Sequence, residues 1–363
     1  MRQYNFAAAL LVAVFLAGCG GGGSGGNQAP KVSFTSQVTF GDSLSDVGTY
    51  AVPTITAYGG GGQYTINGTG KNWTELMAAQ LGLPAPCAAE TGLNGTVFGV
   101  GVTITPHPGC YDYAQGGARV TLQPGPGNAA LGGANALLGQ LTVPITTQID
   151  NHLAAVGGKF SGSEIVFMMA GANDVFIQLA TYAATVTASP SSAPAAATAA
   201  VTAMATAATE LAGYVNTKII ANGARYVVVV NMPDVSSTPF AAAQEAAAPG
   251  SKAFINTMVT TFNGQLQTLL AGNPNVLFVD AYTVHRDEVT NPAAYSLSNV
   301  TTPACNLTAA TNPIGSSLMC NAGNLSPGVD SHYLFSDTVH PTPYGYLLLA
   351  RLVSKDMLIK GWL

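Results

Sequence analysis

Charge is what this chain has least of. Only 8% of its 363 residues are Asp, Glu, Lys or Arg, and Lys and Arg together number 12. Soluble domains usually carry about a quarter charged residues, so Thr, Ser, Asn, Gln, Gly and Ala must cover most of this surface. A net charge of -5 with so few cations leaves no basic patch, which excludes a nucleic-acid partner on electrostatic grounds. Cysteine is scarce as well: there are 5, with no Cys-x-x-Cys and no zinc-ligand spacing among them. No internal repeat and no break suggesting a second domain interrupts the chain. What remains is a 48% hydrophobic sequence, long enough to bury a sizeable core.

The first residues read as an export signal: Arg2 gives a positive start, and Phe6 to Leu16 is an apolar run too short to span a bilayer. Leu16-Ala17-Gly18-Cys19 resembles the lipobox of a bacterial lipoprotein, which implies cleavage before Cys19 and acylation of its thiol and new amino terminus. The organisation expected is a signal peptide over 1–18, a lipidated Cys19 with a Gly-rich tether over 19–35, and one catalytic domain over 36–363. Gly22-Gly23-Ser24-Gly25-Gly26 fits a G-x-S-x-G pattern but has neither the preceding strand nor the following helix that pattern requires.

With Cys19 set aside, four cysteines remain, and an even number in an exported chain points to disulfides. Of three possible pairings the local one, Cys87–Cys110 with Cys305–Cys320, is favoured. Each would close a loop of roughly 15–25 residues, worth on the order of 3 kcal/mol by chain entropy. Both segments are rich in Gly, Pro, Asn and Thr, as expected of long loops that need tying down.

Apolar runs alternate with helical patterns along the rest of the chain. Strands are expected at Val38–Phe40, Glu164–Ala170, Arg225–Asn231 and Asn275–Val279, with helices at 72–81, 143–156, 194–221, 251–270 and 344–358. This order predicts an α/β fold of three layers, α/β/α, around a mostly parallel central sheet.

Polar blocks sit at the ends of these strands, where reactive groups gather in an open α/β sheet. Val38-Thr39-Phe40 runs into Gly41-Asp42-Ser43, which would present a serine hydroxyl on the turn, although the same residues also make ordinary turns. Gly116-Gly117 lets backbone approach a ligand closely, and Gly171-Ala172-Asn173-Asp174 repeats the Ser43 design with a side-chain amide. Asp337 and His340, at i and i+3, can place a carboxylate beside an imidazole. His107, His152, His285 and His332 have no comparable setting and read as surface or structural.

Taken in order, these four blocks resemble the GDSL, or SGNH, hydrolase family, and the likeness runs from about Val38 to the C-terminal helix. Glu288-Val289, Asn291-Pro292-Ala293-Ala294-Tyr295 and Asn299-Val300-Thr301-Thr302-Pro303-Ala304-Cys305 are similar to its bacterial phospholipase/lecithinase/hemolysin-like branch. Asp112, Ser336 and Tyr346 depart from the family's usual residues, none of them at an inferred catalytic atom. The C-terminal β-barrel transporter of some relatives is not expected here.

The resemblance implies a flavodoxin-like fold and serine hydrolysis of carboxylic esters, phospholipid or other lipid esters among them. Ser43 would be the nucleophile, His340 the base and Asp337 the group that fixes the imidazole's tautomer. The backbone N–H of Ser43, that of Gly117 (with Gly116 as the alternative) and the amide of Asn173 would hold the oxyanion. No metal or organic cofactor is expected. The partners implied are an ester substrate and, through Cys19, a membrane, with the protein exported and anchored to the cell envelope, at the outer membrane of a Gram-negative source. Acyl transfer from the same acyl-enzyme, carbohydrate de-acetylation and a catalytically inactive binding lipoprotein are the competing readings.

Overall fold

The computed structural model describes residues 31–363 apart from 69, 97–98, 133–135 and 137. The expected signal peptide, Cys19 and the expected tether up to residue 30 lie outside the described residues. Strands are β1 (Gln37–Gly41), β2 (Glu90–Leu93), β3 (Val102–Pro106), β4 (Ile165–Met169), β5 (Tyr226–Val230) and β6 (Val276–Val279). Helices are α1 (Pro53–Thr56), α2 (Trp73–Gln80), α3 (Ile145–Ala155), α4 (Ala172–Ala188), α5 (Ala193–Tyr214), α6 (Pro239–Ala247), α7 (Ser251–Leu270), α8 (Ala281–Thr290) and α9 (Pro343–Lys360).

β1, β4, β5 and β6 form a parallel sheet in the order β1–β4–β5–β6. Near-continuous apolar runs such as Ile165–Met169 suit strands covered on both faces, and every residue of β1 and β4 is buried. Alternate side chains divide the core. Val38, Phe40, Val166, Met168, Val227 and Val229 pack with Ile149, Met204, Leu211, Ile255, Phe262 and Leu266 from α3, α5 and α7. Ile165, Phe167, Met169, Val228, Val230 and Leu277 pack on the other face with Trp73 and Met77 of α2 and with Tyr346, Val353 and Met357 of α9. The α/β/α layering thus follows from strands β4, β5 and β6, which are apolar at both parities.

Register places the business end. Gly41 lies opposite Met169, Met169 opposite Val230, and Val230 opposite Val279, so the carboxyl ends of the strands are level. The outer edge of β1 is not left open. Thr39 N–H donates to the Tyr111 carbonyl at 2.9 Å, Tyr113 N–H to Thr39 at 2.8 Å and Gln115 N–H to Gly41 at 3.1 Å.

Both disulfides pair locally, Cys87 with Cys110 and Cys305 with Cys320. The first does not tie down an irregular loop: it encloses the antiparallel hairpin β2–β3, whose Thr-rich strands pair with a register shift between Thr91 and Leu93. Helix α4 has no counterpart in the sequence reading, because its outer face carries Thr and Ala instead of charges that would mark it as solvent-facing. α6, α8 and the hairpin escaped for similar reasons of shortness and weak periodicity. The helix expected over 194–221 is α-helical only to Tyr214 and closes through a π-helical turn, Val215–Ile220.

Candidate active site

Ser43 sits on the tight turn that ends β1. Ser45 and Asp46 donate their N–H groups to the Asp42 carbonyl, each at 3.1 Å, and Leu44 N–H donates to Asp42 Oδ1 at 3.0 Å. From the facing helix α3, Gln148 satisfies both polar groups of Gly41: its Oε1 accepts the Gly41 N–H and its Nε2 donates to the Gly41 carbonyl, each at 2.9 Å. The strand end beneath the serine is therefore fixed by a side chain that no motif marks.

His340 arrives from the other end of the chain, on the turn before α9. Its Nε2 lies 2.8 Å from Ser43 Oγ, and its Nδ1 lies 2.9 Å and 2.8 Å from Oδ1 and Oδ2 of Asp337. The ring packs against Tyr64, with centroids 4.6 Å apart. Asp337 is held in turn by backbone donors: Ser317 N–H reaches Oδ2 at 3.0 Å, while Val339 and His340 N–H reach Oδ1 at 2.9 Å and 2.8 Å. Burial works against a charged carboxyl there, but the adjacent His340 and these hydrogen bonds prevail and hold Asp337 well below the usual carboxylate range.

Two more carboxyls lie under the serine turn. Burial pushes Asp42 up to about 7, against the Leu44 N–H and His340, and leaves its Oδ2 without a partner among the described residues. Burial likewise pushes Asp46 up to about 6, although it accepts N–H groups from Thr49 at 2.7 Å, Gly48 at 2.9 Å and Gly116 at 3.0 Å.

This last bond separates the two glycines. Gly116 N–H is committed to Asp46 Oδ2, whereas neither Gly117 N–H nor Ser43 N–H has an acceptor among the described residues. Asn173, in the first turn of α4, spends one amide hydrogen on the Ala118 carbonyl at 2.9 Å, and an amide has a second to offer. Its neighbour Asp174 accepts from Arg119 Nε at 2.9 Å and from Val120 N–H at 3.0 Å, in a buried ion pair. The start of α4 thus grips the Ala118–Val120 segment on the sheet's level carboxyl edge. Gly171 precedes it with φ of 115°, and a Cβ there would meet Phe262, so only glycine turns the chain this sharply into the helix.

Ser43, Asp337 and His340 form one connected relay, and Gly117 and Asn173 are joined to the loop beside it. Asp46, Tyr64, Gln148 and Ser317 belong to the same site and were not singled out by sequence. Asp46 stood inside the Ser43 block and could have been found there; Ser317 acts through its backbone, which leaves no trace in residue type. His152, by contrast, is buried among Phe40, Tyr111, Tyr113 and Phe160, away from the relay. Among the described residues no group of three or more His, Cys, Asp or Glu side chains could hold a metal ion.

A family model described as GDSL-like lipase/acylhydrolase matches residues 38–353. Two Arabidopsis thaliana proteins described as GDSL esterase/lipase are similar, one at 30% identity over 99 residues and one at 27% over 148. The matched stretches cover 27% and 39% of this chain, and 26% and 39% of those relatives, so well under half the length of either is spanned. Among solved structures, an acetyl-xylooligosaccharide esterase from Geobacillus Stearmophilus is similar with a TM-score of 0.42 and 13% identity, covering 90% of this chain and 96% of that one. An extracellular lipase from Streptomyces rimosus gives 0.40 and 17%, covering 89% and 99%.

Proposed function

The chain belongs to the GDSL-like lipase/acylhydrolase family, whose chemistry is ester hydrolysis, and we propose that it works as a serine esterase through an acyl-Ser43 intermediate. The observation that carries this reading is the relay itself: Ser43 Oγ at 2.8 Å from His340 Nε2, and His340 Nδ1 at 2.8 Å from Asp337. A serine hydroxyl is a weak nucleophile until a base takes its proton. His340 Nε2 takes it as Ser43 Oγ bonds to the ester carbonyl carbon, and Asp337 stabilises the imidazolium that forms. The carbonyl oxygen, now negative, accepts from the N–H groups of Ser43 and Gly117 and from the amide of Asn173. Collapse breaks the bond to the alcohol oxygen, which leaves with the proton from His340. Water then repeats the sequence and releases the acid.

The substrate class we favour is a lipid ester, supported by the run Glu288 to Cys305 that resembles the bacterial phospholipase-like branch. We read 36–363 as the catalytic domain and Cys19 as its lipid anchor in the cell envelope. Mass spectrometry of the mature amino terminus tests the anchor: a Cys19 carrying a diacylglyceryl group on sulfur and an acyl group on its amino terminus is expected, and an unmodified cysteine overturns it. The catalytic reading is tested with purified wild type and Ser43→Ala on a panel of p-nitrophenyl esters and phospholipids. Hydrolysis that vanishes in the variant is expected; a folded Ser43→Ala protein with wild-type activity overturns the mechanism, and a wild type inert on every ester favours a binding protein.

A further inference from the structure

The loop that follows Ser43 does more than present the serine. Ala118 N–H donates to the Gln115 carbonyl at 3.0 Å, closing a β-turn with Gly116 and Gly117 at its centre. Gly117 has φ of 80°, the value that marks the third position of a type II turn. A type I turn would close the same hydrogen bond with its central peptide turned over by about 180° and the third residue near φ of about -90°. Glycine at both central positions makes either conformation accessible to the backbone. A side chain is excluded at each: a Cβ on Gly116 would run into Tyr64, and one on Gly117 into the Pro126 carbonyl.

That central peptide unit consists of the Gly116 carbonyl and the Gly117 N–H. It is planar and trans, so the two groups point in opposite directions and turn over together. Its orientation therefore decides whether the site is offered a donor or an acceptor. Among the described residues one side chain hydrogen-bonds to it: Tyr50 Oη donates to the Gly116 carbonyl at 2.8 Å, from a ring that is 0% exposed. The preceding peptide is held by Asp46 through the Gly116 N–H, and Thr49 Oγ1 donates to the Ala114 carbonyl at 3.1 Å. All three holding residues come from the loop that begins at Ser43, so nucleophile and turn are braced by one segment. Burial raises Tyr50 well above the ordinary phenol value, which keeps its proton available as a donor at any pH of interest.

We propose that Tyr50 is a positioning residue for the oxyanion site: by holding the Gly116 carbonyl it keeps the Gly117 N–H turned toward the reacting carbonyl, where a released Gly-Gly peptide would present a carbonyl oxygen instead. The proposal rests on the esterase reading and assigns it a residue outside the reacting set. Loss of the Tyr50 hydroxyl should act on the transition state and leave ground-state binding alone, since the oxyanion exists only on the reaction path.

The test uses Tyr50→Phe, which keeps the ring and removes the donor. Active sites are counted with a fluorophosphonate, and kcat and KM are measured per counted site on p-nitrophenyl butyrate. Phenylboronic acid, which becomes tetrahedral and anionic on serine, supplies a binding measurement independent of turnover. Losing one oxyanion donor outright costs about 10²–10³ in kcat. Freeing its peptide should therefore cost about 10- to 100-fold, with KM changed less than about threefold and boronate affinity falling in step with kcat. Asp46→Asn is the second variant, because it sets an amide donor against the Gly116 N–H, and it should give the same split. A merely structural role would instead reduce the number of titratable sites and the melting temperature, with kcat per site and boronate affinity at wild-type values; that result overturns the proposal. If the wild type shows Ser43-dependent hydrolysis while both variants retain wild-type kcat per site, the positioning role alone is wrong. A wild type that neither hydrolyses esters nor reacts with the fluorophosphonate brings down the esterase reading, and the positioning role with it.

Discussion

Ser317 donates its backbone N–H to Oδ2 of Asp337 at 3.0 Å, and it does so from inside the loop closed by Cys305 and Cys320. The start of that loop is bound to the catalytic block as well. Ala304 N–H donates to the Phe335 carbonyl and Cys305 N–H to the Ser336 carbonyl, each at 2.9 Å. A disulfide that looks like a remote staple thus closes the very loop whose Ser317 N–H holds the carboxylate beside His340.

The two disulfides should therefore differ in what their loss does. By chain entropy alone each contributes about 3 kcal/mol, so the melting temperature should fall for either double Ser variant. Cys305→Ser/Cys320→Ser should also lower kcat about tenfold in protein that is still folded, as would follow from weakening one charge-assisted hydrogen bond by about 1.4 kcal/mol. Cys87→Ser/Cys110→Ser should leave kcat within about twofold. Equal kcat losses at a temperature well below both melting points would contradict the bracing role.

Within the relay the losses should be unequal. Ser43→Ala and His340→Ala should each lower kcat by about 10⁶, because nucleophile and base act as a unit. Asp337→Asn should cost about 10⁴, by stabilising the wrong imidazole tautomer. Asn173→Ala should cost about 10²–10³ with KM little changed. Circular dichroism and melting curves establish that each variant is folded. An Asn173→Ala variant whose KM rises while kcat holds would place that amide on the substrate and not on the oxyanion.

Gln148 offers a test of the strand end. Gln148→Met keeps the volume but leaves the buried Gly41 N–H with no acceptor, which costs about 1–3 kcal/mol. The Gly41 carbonyl keeps its bond from Gln115 N–H at 3.1 Å. Urea denaturation should show the lost stability, and kcat should fall because the serine turn is built directly on that strand end. Unchanged stability would mean that Gly41 finds another partner.

His152 should shape the acid limb of the stability profile. Burial among aromatic rings lowers it to about 4, against the pull of Glu164. An unfolded histidine takes its proton near 6.5, so between that pH and about 4 the unfolded state binds the extra proton and folding loses stability as pH falls. At about 1.4 kcal/mol per unit the window is worth about 3 kcal/mol. Asp337, depressed in the folded state, adds stability that is present above the ordinary aspartate value and lost as pH falls further. Asp42 and Asp46, raised to about 7 and about 6, act the other way and cost stability as pH rises through those values. Comparing His152→Phe with wild type cancels these other groups. The variant should lose less stability between pH 7 and pH 4.5, and parallel profiles would show that His152 does not carry the effect.

The sheet was legible because β4, β5 and β6 are apolar throughout and β1 carries Val38 and Phe40, and the polar blocks because they sit at the ends of those strands. Ser43, Asn173 and His340 announce themselves by residue type. The supports do not. Ser317 and Gly116 act through backbone, and Gln148 is an ordinary polar residue on an ordinary helix. Tyr50 reads as core, since nothing in sequence tells that its hydroxyl meets a carbonyl. Helix α4 was hidden by the scarcity of charge that defines the chain: without charged residues on its outer face, Ala172–Ala188 shows no contrast between inside and outside.

The strip from Tyr111 to Gln115 that lies along β1 has a consequence for how the protein fails. An exposed strand edge is a template on which another chain can add itself, and native proteins cover such edges to stay apart. Here the cover continues directly into Gly116 and Gly117. Peeling it away to expose β1 would carry the Gly117 N–H, which we propose as an oxyanion donor, out of reach of Ser43, so on that proposal a molecule open to association along this edge should already be inactive. Activity per molecule in solution is then a direct reading of how many copies keep that edge closed, and it should decline before any aggregate is large enough to scatter light.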